Sequence, residues 1–305
     1  MEPQKTIYNA GATARVITVY KNIIISRLIK LIEYLKALLF GIIEGITEWL
    51  PVSSTGHLII LNEIVSLKVS DDFYEMFQVV IQMGAILAVL VLFFTKLNPF
   101  APSKSSGEKK DTWSLWLKVI VAVIPSAVLG VLFDDWFDEH FYNHIVVAIA
   151  LIVYGVFFLF MEKGGGSRHS EYKTVNDIDM KTSVGIGVFQ CLALIPGTSR
   201  SGSTILGAML MGTTRTAAAE FSFFLAIPTM AGASLLKAVK FVLKGAAMSM
   251  DYWIILAIGC IVSFVVSLIT IRALMNYVKN HTFKVFGVYR IILGAAVIAS
   301  YFLLK

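Results

Sequence analysis

Apolar residues run along this chain in blocks long enough to cross a bilayer, and polar residues interrupt them at two distinctive places. Near-continuous apolar stretches occupy 77–94, 115–132, 145–160, 221–241, 252–271 and 283–304. Each approaches the ~20 residues that a helix needs to span the hydrocarbon core. The pattern predicts six transmembrane helices. Two further apolar stretches break in the middle, at "LPVSSTGH" (50–57) and at "IPGTSRSG" (195–202). Their halves are too short to cross alone. Polar, non-helical backbone at membrane depth is tolerated only where protein buries it or a watery cavity receives it. Residues 33–66 and 183–214 are therefore expected to form two re-entrant helix–turn–helix hairpins.

The two interrupted segments also resemble each other. A shift of 145 positions places Pro51 on Pro196, Ser54 on Ser199 and Glu75 on Glu220. In both halves a broken hairpin is followed by a glutamate and a full apolar span. Three spans, near 76–95, 114–133 and 144–162, separate the hairpins, so the second hairpin enters from the opposite face. The expectation is an all-α integral membrane protein with six transmembrane helices plus two re-entrant hairpins in an inverted-topology repeat. Repeat 1 covers about 33–162 and repeat 2 about 183–305, preceded by an N-terminal extension, 1–32. That extension carries Lys5, Arg15, Lys21, Arg27 and Lys30 but no apolar core ending in a cleavage site, unlike a signal peptide.

Composition agrees. Of 305 residues, 57% are hydrophobic and 15% charged, where soluble domains carry about 25% charged residues. The net charge of +6 reads as a membrane-orientation signal, and no nucleic-acid partner is expected. Lys96, Lys104, Lys109, Lys110, Lys163, Arg168, Lys173, Lys181, Arg272, Lys279 and Lys284 fall in loops on one side. The other side holds the acidic "DDWFDEH" (134–140) and a turn with Lys237, Lys240 and Lys244. Positive-inside orientation then puts the first set in the cytoplasm and both termini outside, although the basic extension opposes this. Cys191 and Cys260 lack metal-type spacing and are expected to be reduced packing residues. The glycines at 164–166 read as a flexible turn without phosphate-loop spacing.

Glu44 and Glu48 are four residues apart and share a helix face. Ionised carboxylates cost on the order of 2.5–3.5 kcal/mol each at membrane depth, and the pair adds repulsion. Protonation, a basic partner such as Arg200, or a hard divalent cation, magnesium or calcium, would each relieve it. After the first break come Ser53, Ser54, Thr55 and His57. Ser53 and Thr55 read first as helix caps. His57 reads as a proton-transfer group or a nucleophile toward phosphorus, against the alternative of a satisfied core histidine. The second break offers Ser199, Arg200, Ser201 and Thr204. A guanidinium fork with hydroxyls and a free helix N-terminus makes an anion site, against the alternative of a structural pair between Arg200 and a glutamate. Glu75 and Glu220 read as carboxylates favoured in the first turns of their spans. Trp49, Met76 and Met83 read as packing residues.

"EGITEWLPVSSTGH" (44–57) and "PGTSRSGST" (196–204) resemble the two signature motifs of the bacterial undecaprenyl-pyrophosphate phosphatase family. The segments "FQVVIQMGAILAV" (77–89), "FQCLALIPG" (189–197) and "EFSFFLAIP" (220–228) are similar to it as well. The resemblance runs from about Leu35 to the C-terminus. It implies a multi-pass enzyme of the bacterial plasma (inner) membrane that removes one phosphate from undecaprenyl pyrophosphate and recycles the cell-wall lipid carrier. It also implies bacitracin resistance, because bacitracin competes for the same lipid. Carried over by motif, Glu44 and Glu48 would hold a divalent cation. Catalysis would fall to Ser54, His57 and Glu48, with Ser53, Ser199, Arg200, Ser201 and Thr204 binding the pyrophosphate. The site would face the periplasm or exterior, and a homodimer is compatible. The sequence leaves open whether Ser54 or His57 is the nucleophile; Ser54 with His57 as base is preferred. The rival reading is a secondary transporter or flippase for a prenyl phosphate, since inverted repeats with broken helices suit both. An acid-phosphatase-like lipid phosphatase is excluded, because no histidine or aspartate follows Arg200 in "SGSTILGAML".

Overall fold

The computed structural model describes residues 3–163, 170–245 and 247–303. Described residues form helices: α1 (Pro3–Thr47), α2 (Ser54–Ile64), α3 (Asp71–Val80), α4 (Gln82–Leu92), α5 (Phe94–Leu97), α6 (Ser106–Phe141) and α7 (His144–Lys163). After these come α8 (Met180–Cys191), a 3₁₀ turn (Leu192–Leu194), α9 (Arg200–Leu210), α10 (Arg215–Leu243), α11 (Met250–Asn280) and α12 (Lys284–Leu303). Six are long and apolar enough to cross a membrane: α3 and α4 taken together, α6, α7, α10, α11 and α12. They coincide with the six apolar runs. Local sequence explains where several begin. Ser70, Asp179, Thr214 and Ser249 each accept a hydrogen bond from a first-turn N–H of α3, α8, α10 and α11.

The N-terminal extension leads into the first break as part of one helix. Residues 12–40 contain neither glycine nor proline, so nothing stops helix propagation, and α1 passes through position 32 unbroken. Its lower half packs on α11, where Gly41 and Gly45 let the two backbones approach closely; a Cβ at Gly41 would meet Gly259 O at 2.7 Å. Residues 164–166 and 168 lie outside the described residues.

Ion pairs and hydrogen bonds define the two ends of the bundle. At one end Lys96, just past α4, pairs with Glu220 of α10 at 2.6 Å. There Glu162 of α7 binds Arg215 of α10 (Nε 2.8 Å) and the Phe283 amide ahead of α12 (2.9 Å). At the other end Lys237 of α10 pairs with Glu75 of α3 (2.8 Å) and Asp134 of α6 (3.1 Å). His144, at the start of α7, lies 2.5 Å from Glu63, near the end of α2. Glu75 and Glu220 thus do more than favour a helix N-terminus, because each clamps its helix to another with a lysine. The loops whose basic residues were assigned to one side do gather at the Lys96 end. The helix breaks lie between the two ends.

Candidate active site

Proline shapes both breaks. It lacks an N–H and crowds the preceding turn, so α1 stops at Thr47 ahead of Pro51, and the 3₁₀ turn stops at Leu194 ahead of Pro196. The chain restarts as a helix only after a serine with positive φ: Ser53 at 72° and Ser199 at 70°. Among the described residues these are the only non-glycine positions of that kind. Such backbone costs on the order of 1–3 kcal/mol and persists only when its surroundings fix it. In each case the hydroxyl accepts from an amide three residues on, Ser53 from Gly56 at 3.4 Å and Ser199 from Gly202 at 3.1 Å. Ser53 therefore corresponds to Ser199. The register taken from sequence, Ser54 with Ser199, is off by one. By backbone position, Ser54 corresponds to Arg200, both at the first helical residue.

The surroundings that fix this backbone include Arg290, a residue of α12 that the sequence reading passed over. Its fully buried guanidinium donates to Pro51 O at 3.2 Å, Gly197 O at 2.8 Å and Thr198 O at 2.9 Å. One side chain ties both breaks together. A lone arginine amid the apolar "VYRIILG" is as costly as Arg200, and the same reasoning would have exposed it.

The chemistry-bearing groups converge beside this staple. Glu48 Oε1 receives Arg200 Nη2 at 2.9 Å, and Glu48 Oε2 receives the Ser54 hydroxyl at 2.9 Å. Arg200 also donates to Ser222 O at 2.8 Å, and its guanidinium lies 5.6 Å from the centre of the Trp49 ring. Trp49 is a packing residue, as expected, but one that carries a cation on its face. Ser201 donates to Glu48 O at 3.0 Å; Thr204 donates to Arg200 O at 2.9 Å and shares a 2.6 Å hydrogen bond with Ser222. A cavity of about 390 Å³ opens onto this group. Glu48, Ser53, Ser54, Thr55, Ser199 and Arg200 line its inner end. Gln190, Ser126 and Thr229, linked by hydrogen bonds of 2.6 and 3.1 Å, line its flank.

Four expected site residues do not line that cavity: Ser201, Thr204, Glu44 and His57. The first two brace the turn that presents Arg200. His57 faces α12. Its Nδ1 lies 2.7 Å from Ser53 O, a group that only accepts, so Nδ1 carries a proton. Its Nε2 lies 2.7 Å from the Tyr289 hydroxyl, and the two rings stack. With both nitrogens so engaged, His57 steadies the strained Ser53 carbonyl, and the hydrogen-bond partner of Ser54 is Glu48.

Both carboxyl oxygens of Glu44 are buried without a hydrogen-bond partner. Among the described residues no group of three histidine, cysteine or acidic side chains forms a metal cage. Glu44 and Glu48, two carboxylates four residues apart, are oxygen donors of the kind that a magnesium- or calcium-type ion would take.

Comparison with known proteins shows the family. The family model described as bacitracin resistance protein BacA matches residues 37–296. The chain belongs to this family. It is 57% identical over 274 residues to undecaprenyl-diphosphatase 1 of Clostridioides difficile (strain 630), covering 90% of this chain and 98% of the relative. It is 57% identical over 263 residues to the undecaprenyl-diphosphatase of Enterococcus faecalis (strain ATCC 700802 / V583), covering 86% and 95%. The undecaprenyl-diphosphatase of Limosilactobacillus fermentum (strain NBRC 3956 / LMG 18251) is 56% identical over 274 residues, covering 90% and 99%. Both helix breaks and Arg290 lie within the span that the family model matches.

Proposed function

We propose that this chain hydrolyses undecaprenyl pyrophosphate to undecaprenyl phosphate and inorganic phosphate, with Ser54 as nucleophile and Glu48 as its base. The observation that carries this reading is the chain of contacts from Arg200 through Glu48 to Ser54 at the inner end of one cavity. Arg200 and the helix N-termini at Ser54 and Arg200 receive the pyrophosphate charge. The Ser54 oxygen forms a bond to the distal phosphorus while Glu48 takes the hydroxyl proton. The anhydride P–O bond breaks, its electron pair leaves with undecaprenyl phosphate, and Glu48 passes its proton to that leaving oxygen. Water then attacks the serine-bound phosphorus, giving a proton to Glu48, which hands it to the Ser54 oxygen as the Ser54–phosphorus bond breaks and phosphate departs. Glu44 and Glu48 would hold a divalent cation, which when bound supplies charge neutralisation to the phosphate oxygens.

The arrangement supports further parts of the reading. The two breaks meet between opposite ends of the bundle, as two re-entrant hairpins of an inverted repeat would. With the Lys96 end in the cytoplasm, the cavity, whose far end reaches Asp134 and Lys237, faces the periplasm or exterior. Abundant enzyme would then deplete the lipid that bacitracin sequesters. The test is phosphate release from undecaprenyl pyrophosphate by purified protein in detergent. A flippase or transporter would release none.

A further inference from the structure

The cavity does not end at the polar groups. From them it continues between α6 and α10 to a framed opening. Ala127 and Gly130 of α6 and Gly232 and Ala233 of α10 all line it, and Ala127, Gly232 and Ala233 are exposed. These small side chains sit where their neighbours, Val131 and Leu235, are large, apolar and exposed at 68% and 66%. That is the character of a surface facing lipid. Gly232 bears directly on the opening, because a Cβ built there meets nothing within 4 Å. Helix packing does not require a glycine at this position, and Gly232 is one of the residues that line the cavity. Both framing helices carry an internal proline, Pro125 in α6 and Pro228 in α10, which removes a helical hydrogen bond and bends the helix.

On the reading that the inner end takes a lipid pyrophosphate, we infer that this opening is a lateral window. The first isoprene units of the substrate pass through it, and the rest of the chain stays in the bilayer. Three observations favour a prenyl chain as occupant. The window is continuous with the proposed phosphate site; its frame is lined by apolar residues from Ala127 to Val131 and from Gly232 to Leu236, with the charged Asp134 and Lys237 only beyond it; and it opens at the level of exposed Val131 and Leu235, where a hydrocarbon tail loses nothing by leaving the protein. A pyrophosphate diffusing in from water would have no use for such a frame. Gly232 is accordingly a specificity-determining residue. It sets how wide a chain can follow the head group.

The test compares wild type with Gly232→Leu and Gly232→Ala on undecaprenyl pyrophosphate and on farnesyl pyrophosphate. Leucine grows into open space, so melting temperature should hold. The value of kcat/KM should fall about tenfold or more on both lipids, and the alanine variant should lie between. Wild-type kcat/KM in Gly232→Leu, with fold intact, would overturn the window. Should the leucine variant melt early, a benzophenone-tagged farnesyl pyrophosphate decides on unaltered protein. Cross-links within 123–131 or 228–236 support the window, and cross-links confined elsewhere overturn it. Failure of the wild type to release phosphate from either lipid would instead overturn the phosphatase reading, and the cross-link positions would still report on the window.

Discussion

Ser54 donates a 2.9 Å hydrogen bond to the same carboxylate that holds Arg200 at 2.9 Å, so Glu48 joins the attacking group to the anion-binding group. Both elements of that link arise at helix breaks 146 positions apart, each opened by a serine forced to positive φ. If the three act as a unit, their substitutions will not add. Ser54→Ala should abolish measurable turnover, and Glu48→Gln should lower kcat by about a hundredfold to ten-thousandfold. The double variant should be no worse than Ser54→Ala alone. Steady-state phosphate release on the three proteins checks this. Multiplying losses would show that Glu48 and Ser54 work separately.

Arg200 has two oxygen-bearing partners, Glu48 and Ser222, and a planar guanidinium reaches both. A lysine offers one charged centre and no fork. Arg200→Lys should insert and fold yet lose most turnover. Arg200→Ala should also melt lower, because it leaves Glu48 buried at 7% exposure without its cation. Activity and melting temperature measured on both variants separate substrate binding from pairing. An active, less stable alanine variant would show that the arginine serves only its carboxylate.

His57 bonds to Ser53 O and to the Tyr289 hydroxyl, 232 positions away. It should therefore behave as a positioning residue. Tyr289→Phe keeps the stacked ring and removes one hydrogen bond, so turnover should fall only about threefold to tenfold, for roughly 0.5–1.5 kcal/mol. His57→Ala should fall further. The loss should nevertheless stay well short of that in Ser54→Ala. A loss as complete as that of Ser54→Ala would make His57 the base.

Much of this was legible in the chain, for physical reasons. Apolar runs such as 145–160 and 252–271 have no role outside a bilayer, and they became α7 and α11. Pro51 and Pro196 stand beside serine, threonine and glycine, which favour a break, and the helical segments stop ahead of both, whereas Pro125 and Pro228, in apolar runs, are carried inside α6 and α10. Which residues of the two breaks correspond was not legible. The turn from Pro196 to Ser199 is one residue longer than that from Pro51 to Ser53, and only backbone dihedrals reveal it. Contacts between remote residues were equally hidden: nothing local to His57 announces Tyr289, and nothing local to Gly197 announces Arg290. The continuity of α1 follows from the absence of glycine and proline in 12–40, which leaves nothing to stop the helix between the extension and the first break.

Arg290 satisfies carbonyls at both breaks, and removing it strands them in the dry interior. Arg290→Leu should destabilise by roughly 2–5 kcal/mol, read as lower thermal stability in detergent. Arg290→Lys, with one donor centre for three carbonyls, should recover only part. An unchanged melting temperature in Arg290→Leu would mean that the breaks hold themselves.

Glu44 is buried with both oxygens unpartnered, which suits a cation ligand. EDTA should abolish phosphate release, and magnesium or calcium should restore it. In Glu44→Gln the cation concentration giving half restoration should rise by about tenfold or more, because one of two carboxylate ligands is lost. Full turnover in EDTA would remove the cation from the account.

The central claim is that Ser54, beside Glu48 and Arg200, removes one phosphate from a lipid pyrophosphate. The most direct measurement is phosphate release from undecaprenyl pyrophosphate by purified wild type and Ser54→Ala at matched folded concentration. The account predicts one phosphate per lipid and undecaprenyl phosphate as product for the wild type, with no release above background for Ser54→Ala. Release by the Ser54→Ala variant at the wild-type rate, or none from the wild type, would contradict it.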